Sequence, residues 1–154
     1  MEDTVRIAVL SDSHGAMHPK VREMLAGCAY ILHAGDIVRE SDLDELGVYG
    51  RLYAVRGNCD RDAWACRLRD VQRFEIAGVR FVMVHDPKHV PRDLEGTDAV
   101  IFGHTHTYTE KTADGRLWLN PGSCGPVRFG GAPTMALLTV RGGKLTVGRI
   151  DLTE

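Results

Sequence analysis

Five times along this 154-residue chain, a short run of branched apolar residues breaks off at Asp, His or Asn, and that recurrence limits the folds open to it. Val5-Arg6-Ile7-Ala8-Val9-Leu10 ends in Ser11-Asp12-Ser13-His14, and Tyr30-Ile31-Leu32 ends in His33-Ala34-Gly35-Asp36. Leu52-Tyr53-Ala54-Val55 runs into Arg56-Gly57-Asn58-Cys59-Asp60, and Arg80-Phe81-Val82-Met83-Val84 stops at His85-Asp86. Asp98-Ala99-Val100-Ile101-Phe102 gives out at Gly103-His104-Thr105-His106. Runs of this length bounded by turn residues read as strands. The carboxyl ends of strands in α/β sheets open onto the crevice where ligands bind, so these polar residues are expected to converge. Surface loops also favour Asp, Asn and Gly for their own turn chemistry, but five such endings outweigh that reading.

Between the first strands, Pro19 to Gly27 places Val21, Met24 and Leu25 at helical spacing, with proline near its start and glycine at its end. A second helix is expected around Ser41 to Leu46, with Ser41 as its cap and Leu43 and Leu46 facing inward. Strand, helix, strand, helix, strand is the rhythm of a parallel sheet covered by helices. From Val71 the rhythm changes: Ala77-Gly78, Ala113-Asp114-Gly115 and Arg141-Gly142-Gly143 each separate two β-rich segments and mark hairpins. The last, Thr134 to Val140 with Lys144 to Leu152, is expected on a sheet edge or in a second sheet. Gly122 to Pro133, rich in Gly and Pro, is expected to be a long surface loop. The expectation is an α/β protein of two packed sheets with helices outside, one domain over residues 1–154.

Composition narrows the function. Net charge is −2, with acidic and basic residues interspersed, so unspecific attraction to a polyanion is slight and a nucleic-acid partner is not expected. No window approaches the roughly 18 apolar residues of a membrane span, and the acidic start Met1-Glu2-Asp3-Thr4 is unlike a secretion signal. A cytoplasmic protein without a membrane partner is expected. Cys28, Cys59, Cys66 and Cys124 show no Cys-x-x-Cys spacing, so neither a zinc knuckle nor a disulfide scaffold is suggested, and Cys28 reads as a buried small hydrophobe.

Two imidazoles one residue apart, His104 and His106, can enter one pocket if the backbone bends just past Gly103. Together the strand ends offer Asp12, His14, Asp36, Asn58, His85, His104 and His106 as candidate ligands. Seven is too many for one ion but suits two ions sharing a carboxylate. With Asp36 as the bridge, Asp12, His14, Asp36 and His106 would surround one ion, and Asp36, Asn58, His85 and His104 the other. Two divalent ions against two carboxylates leave roughly +2, which calls for an anionic substrate such as a phosphate ester. Paired ions activate a hydroxide and polarise the phosphoryl oxygens, so the reaction expected is metal-assisted phosphoester hydrolysis by in-line attack. Four imidazoles favour a borderline ion: Mn²⁺ first, then Ni²⁺, Zn²⁺, Fe²⁺ or Co²⁺, with Mg²⁺ less suited.

The set Asp12-Ser13-His14, Gly35-Asp36, Gly57-Asn58-Cys59-Asp60, His85, Gly103-His104-Thr105-His106 and Asn120-Pro121-Gly122-Ser123 resembles the calcineurin-like metallophosphoesterases, and more narrowly the small YfcE-type phosphodiesterases. The motifs stand in family order and span nearly the whole chain. The resemblance implies a four-layered αββα sandwich of two mixed β-sheets flanked by helices, a dinuclear site, and ligand roles on the same seven residues. Asn58, Cys59 and His104 are the residues expected to take part in catalysis. Two positions depart from the wider superfamily. Cys59 stands where most members have a histidine thought to protonate the leaving group, and Asp86 stands where glycine is usual. Asp86 is expected to add negative charge or bulk beside the second ion, and a thiol at 59 to be a poor acid, so good leaving groups are favoured.

Around these, His33 reads as a packing or supporting residue, Asp60 as a brace for the third loop, and Ser123 and Asn120 as loop architecture. His89 is the second candidate acid, and Arg128 is solvated or clamps phosphate. Two other functions compete. A protein-binding scaffold of the same fold, as in the related retromer subunit, has no reason to keep seven ligands; a nuclease is disfavoured by the weak basic character. The partner expected is a small phosphoester, with a homodimer or higher homo-oligomer permitted by edge strands.

Overall fold

The computed structural model describes residues 3–127 and 131–153. Among the described residues, ten strands form two mixed sheets of five. The first has the order β10-β9-β1-β2-β3, from β1 (Thr4–Leu10), β2 (Tyr30–His33), β3 (Arg51–Ala54), β9 (Thr134–Arg141) and β10 (Lys144–Asp151). The second has the order β4-β5-β6-β8-β7, from β4 (Val71–Ile76), β5 (Val79–Val84), β6 (Ala99–Ile101), β7 (Thr109–Ala113) and β8 (Arg116–Asn120). In the first sheet β1, β2 and β3 run parallel; in the second β5, β6 and β8 do.

Alternation along the strands divides the core. In β1, Ile7 and Val9 face the second sheet and pack with Leu32, Phe81, Met83, Ile101 and Leu119. Ala8 and Leu10 face the other way, onto Met17, Val21, Leu25 and Leu46 beneath the helices. Both faces are buried, which is why the strand reads as one apolar run. The inter-sheet seam closes with a stack of four rings, Tyr30, Tyr53, Phe74 and Phe81, whose neighbouring planes lie within 13° of parallel.

The expected two-sheet sandwich is present, with unequal outer layers. Helices α1 (Lys20–Met24) and α2 (Glu40–Tyr49) cover the first sheet. The second is covered by the chain after β5, which carries a 3₁₀ turn at Pro87–His89 and sets Val90 and Leu94 over Val84, Val100 and Phe102. Helix α2 starts before the predicted cap: Ser41 lies inside it and Arg39 holds the N-cap position without a side-chain cap. Glu40 and Asp42 supply negative charge to that first turn instead, and Arg39 pairs with Asp42 at 3.6 Å. All three predicted hairpins form, each turning on two residues with positive φ: Ala77 and Gly78, Asp114 and Gly115, Gly142 and Gly143. Residues 122–127 and 131–133 carry no regular secondary structure, and Arg128 lies outside the described residues.

No described helix is long and apolar enough to cross a membrane. Cys28 is buried as expected, and all four cysteines are free.

Candidate metal centre

The loops after β1, β2, β3, β5 and β6 meet at one end of the sandwich, and five of the seven candidate ligands pay a backbone cost to do so. Asp12, His14, Asp36, His104 and His106 have φ between 49° and 76°, in the left-handed region that L residues rarely adopt. Such conformations persist only where surrounding bonds hold them. Gly57 and Gly103 sit where no side chain fits. A Cβ on Gly57 would collide with the Asp36 carboxylate, and one on Gly103 with the Ser11 hydroxyl and the Asp12 carboxylate.

All seven residues are brought together. His14 Nε2 and His106 Nε2 lie 3.3 Å apart, as do His85 Nε2 and His104 Nδ1. Two nitrogens bound tetrahedrally to one ion at about 2.05 Å would stand roughly 3.3 Å apart, so each imidazole pair has the spacing of co-ligands. Asp36 joins the pairs: its Oδ2 is 3.5 Å from His14 Nε2 and 3.2 Å from His85 Nε2. Asn58 Oδ1 sits 3.0 Å from His85 Nε2, completing the second cluster.

Two features show that the donors suit a cation. The buried Asp12 uses Oδ2 to accept from Ser11 Oγ at 2.6 Å and from the His104 N–H at 3.0 Å, while its Oδ1 has no hydrogen-bond partner and points toward His106 Nε2 at 3.4 Å. The second concerns His85. Its Nδ1 lies 2.8 Å from the Ala34 carbonyl, which can only accept, so Nδ1 carries the hydrogen. The neutral ring then aims a bare lone pair from Nε2 at the oxygens of Asn58 and Asp36. With these two oxygens and His104 Nδ1 gathered around one lone pair in a buried site, the arrangement suits a positive charge, from a proton or a metal ion. In the protein alone that preference shows as proton affinity: burial lowers the His85 pKa, but the bond to Asp36 and the Asp12 and Asp36 charges outweigh it and raise it. Burial likewise pushes Asp36 up, and the His85 bond, the Cys59 N–H and the charges of His85 and His14 bring it down to about 2.

Supporting residues fall where the sequence puts them, with one change. His33 is fully buried between the first two loops. Its Nδ1 accepts the Gly35 N–H at 3.1 Å, so Nε2 bears the hydrogen and donates to Ser13 Oγ at 2.9 Å. Ser123 Oγ donates to the Asp12 carbonyl, and Asn120 Nδ2 to the Gly103 carbonyl and Thr105 Oγ1. Asp60, expected to brace the third loop, mainly braces the second: its carboxylate accepts N–H bonds from Asp36, Ile37 and Val38, and one from Gly57. Ser11 and the Ala34 carbonyl have no signature in the sequence, where a serine before an aspartate and a backbone oxygen give no signal.

The two departures from the superfamily pattern can now be placed. Cys59 Sγ lies within 4.8 Å of donor atoms of both His14 and Asp36, and burial with the Asp36 charge raises its pKa when no cation is present. Asp86 does not crowd the ligands. Its Oδ1 accepts the Lys88 N–H at 2.9 Å, and its Oδ2 faces the outer nitrogen of His104, Nε2, at 3.9 Å. Burial disfavours its charge, but that N–H and the neighbouring His104, His89 and Lys88 hold its carboxyl below the ordinary range. Beside Asn58 and His85 opens a cavity of about 470 Å³, lined also by Arg56, Gly57, Asp70, Asp86 and His89.

Residues 5–143 match the sequence profile of the calcineurin-like phosphoesterase superfamily domain. A probable metallophosphoesterase of Methanothermobacter thermautotrophicus is 29% identical over 153 residues, covering 90% of this chain and 88% of that protein. Among solved structures, a protein of Streptococcus pneumoniae described as a predicted phosphoesterase superposes with a TM-score of 0.78 at 22% identity, covering 99% of this chain and 92% of that one. Vacuolar protein sorting 29 of Cryptosporidium parvum superposes at 0.76 with 18% identity, covering 96% and 97%. At such identities the two structures show the shared fold.

Proposed function

Because the chain belongs to the calcineurin-like phosphoesterase superfamily, we propose that it is a metal-dependent hydrolase of phosphoesters, a phosphodiesterase in the first instance, working with two divalent ions. Asp12, His14, Asp36 and His106 hold one ion; Asp36, Asn58, His85 and His104 hold the other. Four imidazoles beside two carboxylates and an amide suit Mn²⁺, with Ni²⁺, Zn²⁺, Fe²⁺, Co²⁺ and Mg²⁺ as alternatives. Such a pair of ions makes water a nucleophile at neutral pH and polarises the phosphoryl oxygens.

The protein's own contribution is orientation. The Ala34 carbonyl fixes the His85 ring and its tautomer, and the His104 N–H and Ser11 hydroxyl fix Asp12. Gly57 and Gly103 let the loops close without an intervening side chain. The cavity beside Asn58 leaves room for an ester group, which is the ground for preferring a diester over a monoester. A thiol at 59 donates a proton less readily than an imidazolium, so esters with good leaving groups turn over best.

The observation that carries this reading is the His85 lone pair, aimed at oxygens that cannot donate to it. A protein-binding scaffold would gain nothing from that arrangement. The test is hydrolysis of bis(4-nitrophenyl) phosphate by chelator-stripped protein before and after Mn²⁺, Ni²⁺ or Mg²⁺ is restored. Activity that returns with the ion supports the reading. A folded, ion-loaded protein that releases no nitrophenolate contradicts it.

A further inference from the structure

The cavity beside the second cluster has a charge pattern that bears on the substrate. Arg56 lies on its wall, but its guanidinium is spent on Asp70, Nε at 3.1 Å from Oδ1 and Nη2 at 3.4 Å from Oδ2. That pair is neutral as a unit. Asp86 is the remaining carboxylate, its Oδ1 turned to the backbone N–H of Lys88 and its Oδ2 toward His104 Nε2. His89 is exposed and counts as neutral in the formal charge. The wall therefore carries about one net negative charge.

The site proposed above has the opposite sign, about +2 from two ions and two carboxylates. A phosphoryl group and the hydroxide that attacks it cancel that excess. An ester group bearing a further negative charge would meet the wall's uncompensated carboxylate, Asp86. The lining is polar: Asn58, Asp70, Asp86 and the Arg56 nitrogen not turned to Asp70 offer hydrogen-bonding groups to a hydroxyl-bearing ester.

We infer that this cavity is the subsite for one ester group of the substrate, that it takes an uncharged hydroxyl-bearing alcohol of glycerol type, and that Asp86 is the residue that rejects anionic alcohols. The inference rests on the phosphoesterase reading. It also gives a reason for an aspartate beside His85: selection by charge, which a glycine could not supply.

Two diesters that release the same nitrophenolate test it, 4-nitrophenyl glyceryl phosphate and 4-nitrophenyl carboxymethyl phosphate. The chemistry of departure is shared, so the ratio of kcat/KM values reports on the second alcohol, and effects of a variant on metal loading largely cancel. The Mn²⁺-loaded wild type is expected to prefer the glyceryl ester. Asp86→Asn and Asp86→Ser, which both keep an acceptor for the Lys88 N–H, should cut that preference by about three- to tenfold, the size of one charge at partly solvated range. A ratio unchanged in both variants, or a wild type that prefers the carboxymethyl ester, overturns the inference while leaving the phosphoesterase intact. Hydrolysis of neither diester overturns both.

Discussion

Asp36 and Asp60 hold each other's loops: the Asp36 N–H donates to Asp60 Oδ2 at 2.9 Å, and Asp36 Oδ1 accepts the N–H of Cys59, the residue before Asp60, at 2.8 Å. One buried carboxylate, Asp60, thus fixes the turn that aims the proposed bridging ligand. The other oxygen of Asp60, Oδ1, holds Val38, a β-branched residue at φ 75°, by a 2.7 Å bond from its N–H.

Removing Asp60 should therefore cost both stability and metal affinity. Asp60→Ala leaves four N–H groups without their acceptor and is expected to lower the unfolding free energy by about 3–5 kcal/mol, with Asp60→Asn losing less because one acceptor oxygen remains. Urea denaturation of the metal-free protein measures the first effect. Mn²⁺ affinity should fall tenfold or more as the second loop loosens. Wild-type midpoints and affinity for Asp60→Ala would remove Asp60 from the account.

His33 should make stability fall with acid well above the carboxylate range. Burial, then the charge of His85, lower its pKa to about 3, from an ordinary value near 6.5. The folded state thus binds that proton less readily than the unfolded chain. Stability is full above pH 6.5 and is lost progressively toward pH 3, on the order of 4 kcal/mol across the window. Denaturation of the metal-free protein at stepped pH reads the slope. In His33→Gln, which has no ring to protonate, the loss between pH 6.5 and 5 should flatten; an unaltered slope would mean other groups set it.

Cys59→His tests the acid. An imidazole at this position should raise kcat for alkyl esters more than for nitrophenyl esters, by about tenfold or more, because only a poor leaving group needs a proton. Metal content must match the wild type for the comparison to hold. Equal or lower rates on alkyl esters count against the thiol as the limiting feature.

Most of this site is legible in the chain because strand ends advertise it. Five apolar runs ending at Asp, His or Asn locate all seven converging residues, and the resemblance implies ligand roles for the same seven. What the residues do not reveal is whatever depends on backbone. The Ala34 carbonyl that sets the His85 tautomer has no side-chain signature. Asp60 reads correctly as a brace for its own loop through Gly57, but its further partners lie 22 to 24 residues away in the second loop. Asp86 reads as negative charge or bulk beside the second ion; its turn at Pro87, which carries one oxygen to the Lys88 N–H and the other to the outer side of His104, keeps the carboxylate there without crowding the ligands. The start of α2 is misread for a simpler reason: charge on Glu40 and Asp42 replaces the hydroxyl cap that Ser41 suggests.

The claim beneath all of these is that Asp36 is shared by two ions, and counting ions tests it most directly. Wild-type protein stripped with chelator, dialysed against Mn²⁺ and assayed for bound metal should retain two ions per chain. Asp36→Ala, which removes a ligand from both clusters at once, should retain fewer than one at the same free concentration. Two ions kept by the variant, or none by the wild type, would contradict the account.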